Sequence, residues 1–180
     1  RVKHLLVFIW GLVAILGAVA LAFVTGLAHP QEKVNGLWLV VAAACIYVLA
    51  FRFYGRWISQ RVVELNDQRV TPAVRLNDGV NFHPTNKYVL FGHHFAAIAG
   101  AGPLLGPVLA AQFGFLPGFL WLVIGAVLGG AVQDFIILVA SMRRNGRSLP
   151  EIAHDELGLV TGTATAVAVL FIVVVALAGL

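Results

Sequence analysis

The chain has 180 residues, 60% hydrophobic and only 11% charged, with a mean hydropathy of +0.92. Its apolar residues fall in long uncharged runs, which exclude a soluble domain, because a helix in water needs a polar face. The formal charge of +4 would suit a nucleic-acid partner, but the basic residues flank the apolar runs, where they report membrane topology. The implied partner is therefore a lipid bilayer and not nucleic acid.

In chain order, Leu5 to Leu27 carries no charge and predicts a first span of about 35 Å, enough for a hydrocarbon core of about 30 Å. Ala28 to Asn35 reads as a short polar turn. Leu37 to Phe53 is a second span, with Tyr54 and Trp57 as interfacial anchors and Arg52 and Arg56 snorkelling to headgroups. The lone Cys45 lies inside this span, allows no internal disulfide, and reads as a buried small hydrophobe. Residues 54–90 form a polar loop in which Asn77-Asp78-Gly79 favours a tight turn or small hairpin and His83-Pro84 forces extended backbone.

Phe91 to Phe113 is a third span, and GFLPG links it to a fourth, Phe119 to Met142. A loop with Arg143, Arg144 and Arg147 follows. Ser148-Leu149-Pro150-Glu151 matches a capping box and predicts a surface helix ending near Leu157 with Gly158 as a left-handed cap. Thr161 to Leu180 is a fifth span, with Thr163 and Thr165 bonding carbonyls of the preceding turn. Five spans place every Lys and Arg except Lys33 on one side, so the N-terminus and both basic loops are expected in the cytoplasm. The chain starts on Arg1 and its last span runs to the final residue, which predicts a piece of a longer protein.

The third span contains its own breakers. Pro103 and Pro107 each remove an amide donor, and Gly100 and Gly102 leave helical angles at low steric cost. Backbone of this kind is tolerated at membrane depth only where protein or a water-filled cavity satisfies it. The expected result is a half-helix from His93 to Ala99, an irregular stretch Gly100 to Gly106, and a second half to Gln112. Such a break suits substrate binding by Gly100, Ala101, Gly102, Pro103, Gly106 and Pro107, with bared carbonyls and a half-helix N-terminus as ligands. The alternative is that Gly102 and Gly106 only let another helix pack closely.

Asp134 is the one acidic residue inside a span, about 12 Å from the boundary near Met142, with Gln133 before it. Ala126, Gly130 and Asp134 fall on one small-residue stripe. Its carboxylate either couples an ion and gates, together with Gln133 and Gln112, or pairs with the Arg143, Arg144 and Arg147 loop. His93 and His94 stand near the cytoplasmic entrance, as a proton relay or gate or as an interfacial anchor. Their side chains point about 100° apart, which disfavours one metal ion between them; a set with His83 is the remaining metal reading. With no nucleophile and base set, phosphate loop or dinucleotide fingerprint, neither enzymatic function nor a cofactor or metal is expected.

The run NDGVNFHPTNKYVLFGHHFAAIAGAGPLLGPVLAAQ, then LPGFLWLVIGAVLGGAVQDF and SMRRNGRSLPEIAHDELG, resembles the carbon starvation protein A family of bacterial inner-membrane transporters. The likeness covers about 77–158. It implies proton- or cation-coupled uptake of peptides or pyruvate. It also implies a fold related to the amino acid, polyamine and organocation superfamily, with two inverted five-helix repeats around broken helices. The interrupted span would then be the first core helix of the first repeat, and family members are much longer than this chain. The expected fold is an all-α polytopic membrane helix bundle. Its expected setting is the bacterial inner membrane, and a homo-oligomer is left open. The second functional reading is a non-transporting membrane subunit or nutrient-sensing receptor.

Overall fold

The computed structural model describes residues 2–27 and 35–178, and among these the regular structure is entirely helical. The polar turn expected at Ala28 to Asn35 lies outside the described residues for 28–34, as does the end of the fifth span at 179–180. Among the described residues four helices are long and apolar enough to cross a membrane: Lys3–Val24, Gly36–Val62, Phe115–Arg143 and Leu159–Ala178. The chain is an all-α membrane helix bundle. It divides into two compact units, residues 1–65 with 113–132 and residues 66–112 with 133–180.

The first unit is built on α1 (Val2–Val24) and α2 (Gly36–Leu49). Phe23 stacks on Trp38 with ring centroids 4.7 Å apart, and Trp10 meets Phe53 edge-on at 5.8 Å. Between them Ala20, Val24 and Ala42 form a buried cluster. The paired residue numbers add to nearly the same value at both ends, so the two helices run antiparallel. At Gly17 an added Cβ would stand 2.8 Å from the Cβ of Cys45, so glycine is what lets the helices approach this closely. Cys45 is buried, as a packing thiol should be. Leu116 and Phe119 of α6 (Phe115–Gly125) pack on the same cluster.

The second helix does not stop at Phe53. It continues through two π-helical stretches, Ala50–Gly55 and Ile58–Val62, because no proline interrupts FRFYGRWISQRV and Gly55 stays helical. Glu64, at φ +50, ends it. Arg56, Trp57 and Arg61 therefore lie on the last turns of the span and not in the loop expected from residue 54 onward. Tyr54 and Trp57 stack there at 6.1 Å.

In the second unit, α3 is the single turn Pro72–Arg75, and no strand is found among the described residues, so of the two forms open to this segment, a small hairpin or a surface loop, it takes the loop, ordered by side chains. Asp78 Oδ1 accepts from the amides of Val80, Asn81 and Phe82 at 2.9, 2.8 and 2.8 Å. Those amides, that of Phe82 foremost, hold its carboxyl down at about 2. Gly79 takes φ +72, the tight turn read from the sequence. Arg75 donates to Asn145, and a Cβ on Gly146 would stand 3.3 Å from the Phe82 ring, so this loop lies against the one after α7 (Ala131–Arg143).

The fourth span starts earlier than expected. GFLPG is not a linker: the helix begins at Phe115, Pro117 occupies its first turn, where its missing amide costs nothing, and Gly114 turns the chain at φ +104. It runs through a π-helical stretch, Ala126–Gly130, into α7. The helix α8 (Leu149–Leu157) carries the predicted capping box. Ser148 donates to the Glu151 carboxylate from its hydroxyl at 2.7 Å and its amide at 2.8 Å, and the hydroxyl bond above all lowers the Glu151 pKa. Gly158 has φ +94 but ψ 175, an extended mirror conformation and not the left-handed cap expected. The last helix, α9, spans Leu159–Ala178, and Thr163 and Thr165 bond the carbonyls of Leu159 and Thr161. At Gly162 a Cβ would come 2.5 Å from the Cβ of His154, so α8 lies tight on α9.

Candidate functional site

The interrupted span consists of α4 (Lys87–Ile98) and α5 (Ala101–Ala111). At about 1.5 Å per residue they measure about 18 and 16 Å, so neither alone matches a hydrocarbon core of about 30 Å. Asn86 caps α4 by accepting from the Tyr88 amide at 2.9 Å. The break is shorter than the sequence suggests. Only Ala99 and Gly100 leave helical angles, with ψ 32 and −159, whereas Gly102 to Gly106 are helical. Two physical reasons account for this. Pro103 falls in the first turn of α5, where an amide has no helical partner in any case. Pro107 removes a bond only to the carbonyl of Pro103, one turn away, and the helix carries it.

The carbonyls of Ala96, Ala97 and Ile98 would bond the amides of residues 100–102 in a continuous helix, and the break denies them those partners. On the other side Gly100 is the N-cap of α5 without a side-chain acceptor, so the amides of Ala101 and Gly102 also lack a cap. A negative helix end and a positive helix end therefore meet within two residues. An anionic group fits the second and a cation the first.

Gly100 has φ −74, an angle any residue adopts, and a Cβ there would find only the Ala97 carbonyl at 3.8 Å. At Gly102 and Gly106 an added Cβ would meet nothing within 4 Å. Backbone geometry does not demand these glycines, and they leave open space beside the break. Pro103 and Pro107 are exposed there as well.

His93 and His94 lie in mid-α4, both exposed, and Gln112 is exposed just after α5. Gln133 is exposed and Asp134 half-buried in the first turn of α7. None of these five side chains has a hydrogen bond or ion pair among the described residues. Arg144 pairs with Glu156 and Arg147 with Asp155, so these two arginines of the loop have carboxylate partners other than Asp134. The stripe of Ala126, Gly130 and Asp134 is also altered, because the wider π turns of Ala126–Gly130 break its helical spacing. That widened stretch, ending four residues before the carboxylate, is a feature that helical periodicity misses; its only trace in the sequence is the Gly129-Gly130 pair. Among the described residues no three His, Cys, Asp or Glu side chains cluster as a metal site would, so His83, His93 and His94 do not converge.

A bundle of membrane-crossing helices with one half-helix pair defines a polytopic membrane protein. The profile described as "Carbon starvation protein CstA" matches residues 35–180, and the chain belongs to that family. It is 53% identical over 170 residues to the peptide transporter CstA of Escherichia coli, covering 94% of this chain and 24% of that protein. It is 57% identical over 146 residues to the peptide transporter CstA of Bacillus subtilis, covering 81% of this chain and 24% of that one. A third relative, 53% identical over 169 residues (94% of this chain, 23% of that protein), is the pyruvate/proton symporter BtsT of Escherichia coli. The chain thus spans about a quarter of the length of these relatives. No solved structure matches it.

Proposed function

We propose that this chain is the broken-helix part of a secondary active transporter that takes up small nutrients, peptides or pyruvate-like carboxylates, across the bacterial inner membrane, coupled to a proton or another cation. The observation that carries the reading is the opposition of two uncapped helix ends at Ala99–Gly100, in a family whose relatives are named for peptide transport and pyruvate/proton symport. In this reading the uncapped amides of Ala101 and Gly102 receive the substrate carboxylate, and Gly100, Gly102, Pro103, Gly106 and Pro107 shape the space around it. Asp134, with no ion-pair partner among the described residues, carries the coupling charge. His93 and His94, with Gln112 and Gln133, serve as gate. The N-terminus is cytoplasmic, at the end of the spans where every Lys and Arg but Lys33 lies or points.

The test is uptake of labelled pyruvate and labelled dipeptide by cells expressing the full-length protein, with and without a proton uncoupler. Asp134→Asn is expected to abolish accumulation while leaving binding. Uptake indifferent to both the substitution and the uncoupler removes the coupling role. Ligand binding without accumulation in sealed vesicles identifies a sensing receptor instead.

A further inference from the structure

Arg52 sits at an unexpected depth for an unpaired charge. From Gly36, the first residue of α2, it lies about 24 Å along the helix, inside a hydrocarbon core of about 30 Å if the span begins at the opposite boundary. A guanidinium at that level needs a counter-charge. Between Val2 and Val63 the sequence holds one acid, Glu32, in the connection outside the described residues, and no ion pair reaches Arg52 among the described residues. Its guanidinium carbon lies instead 5.7 Å from the centre of the Trp10 ring and 5.8 Å from that of Phe53.

Those two rings stand edge to face, so the guanidinium is held against two aromatic walls by cation–π attraction, and its N–H donors have no acceptor among the described residues. The helix is π-helical over Ala50–Gly55, a local widening that sets the positions of both Arg52 and Phe53. Arg56, one turn further on, donates to Gln60 at 3.4 Å and adds positive charge at the boundary. The surroundings open sideways to apolar surface, since Phe51 is 82% and Phe53 56% exposed.

We propose that Trp10, Arg52 and Phe53 form a site for the phosphate of an anionic membrane lipid, whose headgroup takes the planar fork of Arg52 and whose chains lie along the exposed face of α2. A bidentate guanidinium–phosphate contact supplies the counter-charge that Arg52 does not find among the described residues, and the two rings orient it in advance. The apolar opening selects a lipid over free phosphate, because the ligand must carry its own hydrocarbon to the site.

The test uses the full-length protein in mixed phosphatidylglycerol and phosphatidylcholine nanodiscs, with retained lipid counted by native mass spectrometry after detergent extraction. Wild type is expected to retain phosphatidylglycerol preferentially, and Arg52→Gln to lower that retention by about tenfold, with Arg52→Lys intermediate. Arg69→Gln, in the loop, should leave it unchanged. Trp10→Leu keeps the charge and removes one wall. Its expected loss of about threefold decides the matter even if Arg52→Gln does not fold. Inorganic phosphate should not displace the lipid. The proposal is overturned by phosphatidylglycerol retention that Arg52→Gln and Trp10→Leu leave intact. It is overturned equally by displacement with inorganic phosphate, or by the absence of any lipid preference in wild type, which would assign the counter-charge to another part of the protein.

Discussion

The α1–α2 hairpin and the α4–α5 pair are both apolar helix pairs rich in small residues, yet Gly17 of the first and Gly102 and Gly106 of the second stand in opposite surroundings. In the hairpin, Gly17 is filled: the Cβ of Cys45 occupies the place a side chain would take. In the broken pair, Gly102 and Gly106 face nothing within 4 Å. A filled glycine holds two helices together, whereas an open one reserves room. Gly17 belongs to a packed helix seam, and under the proposed function the space beside Gly102 and Gly106 is where substrate enters.

The sharpest attack on that contrast is at Gly162, the most tightly filled glycine, where a Cβ would also stand 2.8 Å from the His154 Cα. Gly162→Ala should cost about 1–3 kcal/mol, read as a lowered Tm and faster proteolysis of the α7–α8 loop, because backbone cannot move aside as a side chain can. Gly17→Ala should destabilise by a smaller amount, about 1 kcal/mol, and Cys45→Gly in the same chain should restore part of the Tm. Ser148→Ala removes the cap of α8 and should cost about 1 kcal/mol or less, seen as lost helix protection in hydrogen exchange over 149–152.

A pH titration sharpens the contrast between ordered loop and open break. The Asp78 pKa is depressed from 3.8 to about 2, so its stabilisation of the loop is complete above 3.8 and is lost as pH falls through about 2. Amide shifts of Val80, Asn81 and Phe82 should follow that midpoint. A midpoint near 3.8 would mean the three amide bonds are absent in solution. The smallest effect on stability, and one of opposite sign, belongs to Gly102→Ala. Tm should stay level or rise by up to about 1 kcal/mol equivalent, since alanine is the better helix former, while substrate uptake falls. A Tm loss there would show that Gly102 is filled by another helix and return it to the scaffold.

Much of this was legible in the sequence because the signals were local. Uncharged runs located the spans, Ser148 and Glu151 located α8, and Asn77 to Gly79 located the turn before α4. The length of the break was not legible, since proline in a first turn and proline inside a helix look alike until the helix start is fixed. The π-helical stretches were also hidden: residues 50–62 carry no proline, and a wider turn has no residue signature comparable to a cap. At the candidate site, sequence identified the residue types, but the openness of Gly102 and Gly106 depends on packing that periodicity does not encode.

The contact between Arg75 and Asn145 joins residues 70 positions apart in the chain. A ribosome adding about 5–20 residues per second needs several seconds to make that interval. The segment leading into the broken helix is therefore synthesised, with the break itself, well before its partner exists. During that window the break must be held by lipid, by the translocation machinery or by its own two half-helices. Substitutions at Arg75 or Asn145 would accordingly be felt in the yield of inserted protein before they were felt in the finished molecule.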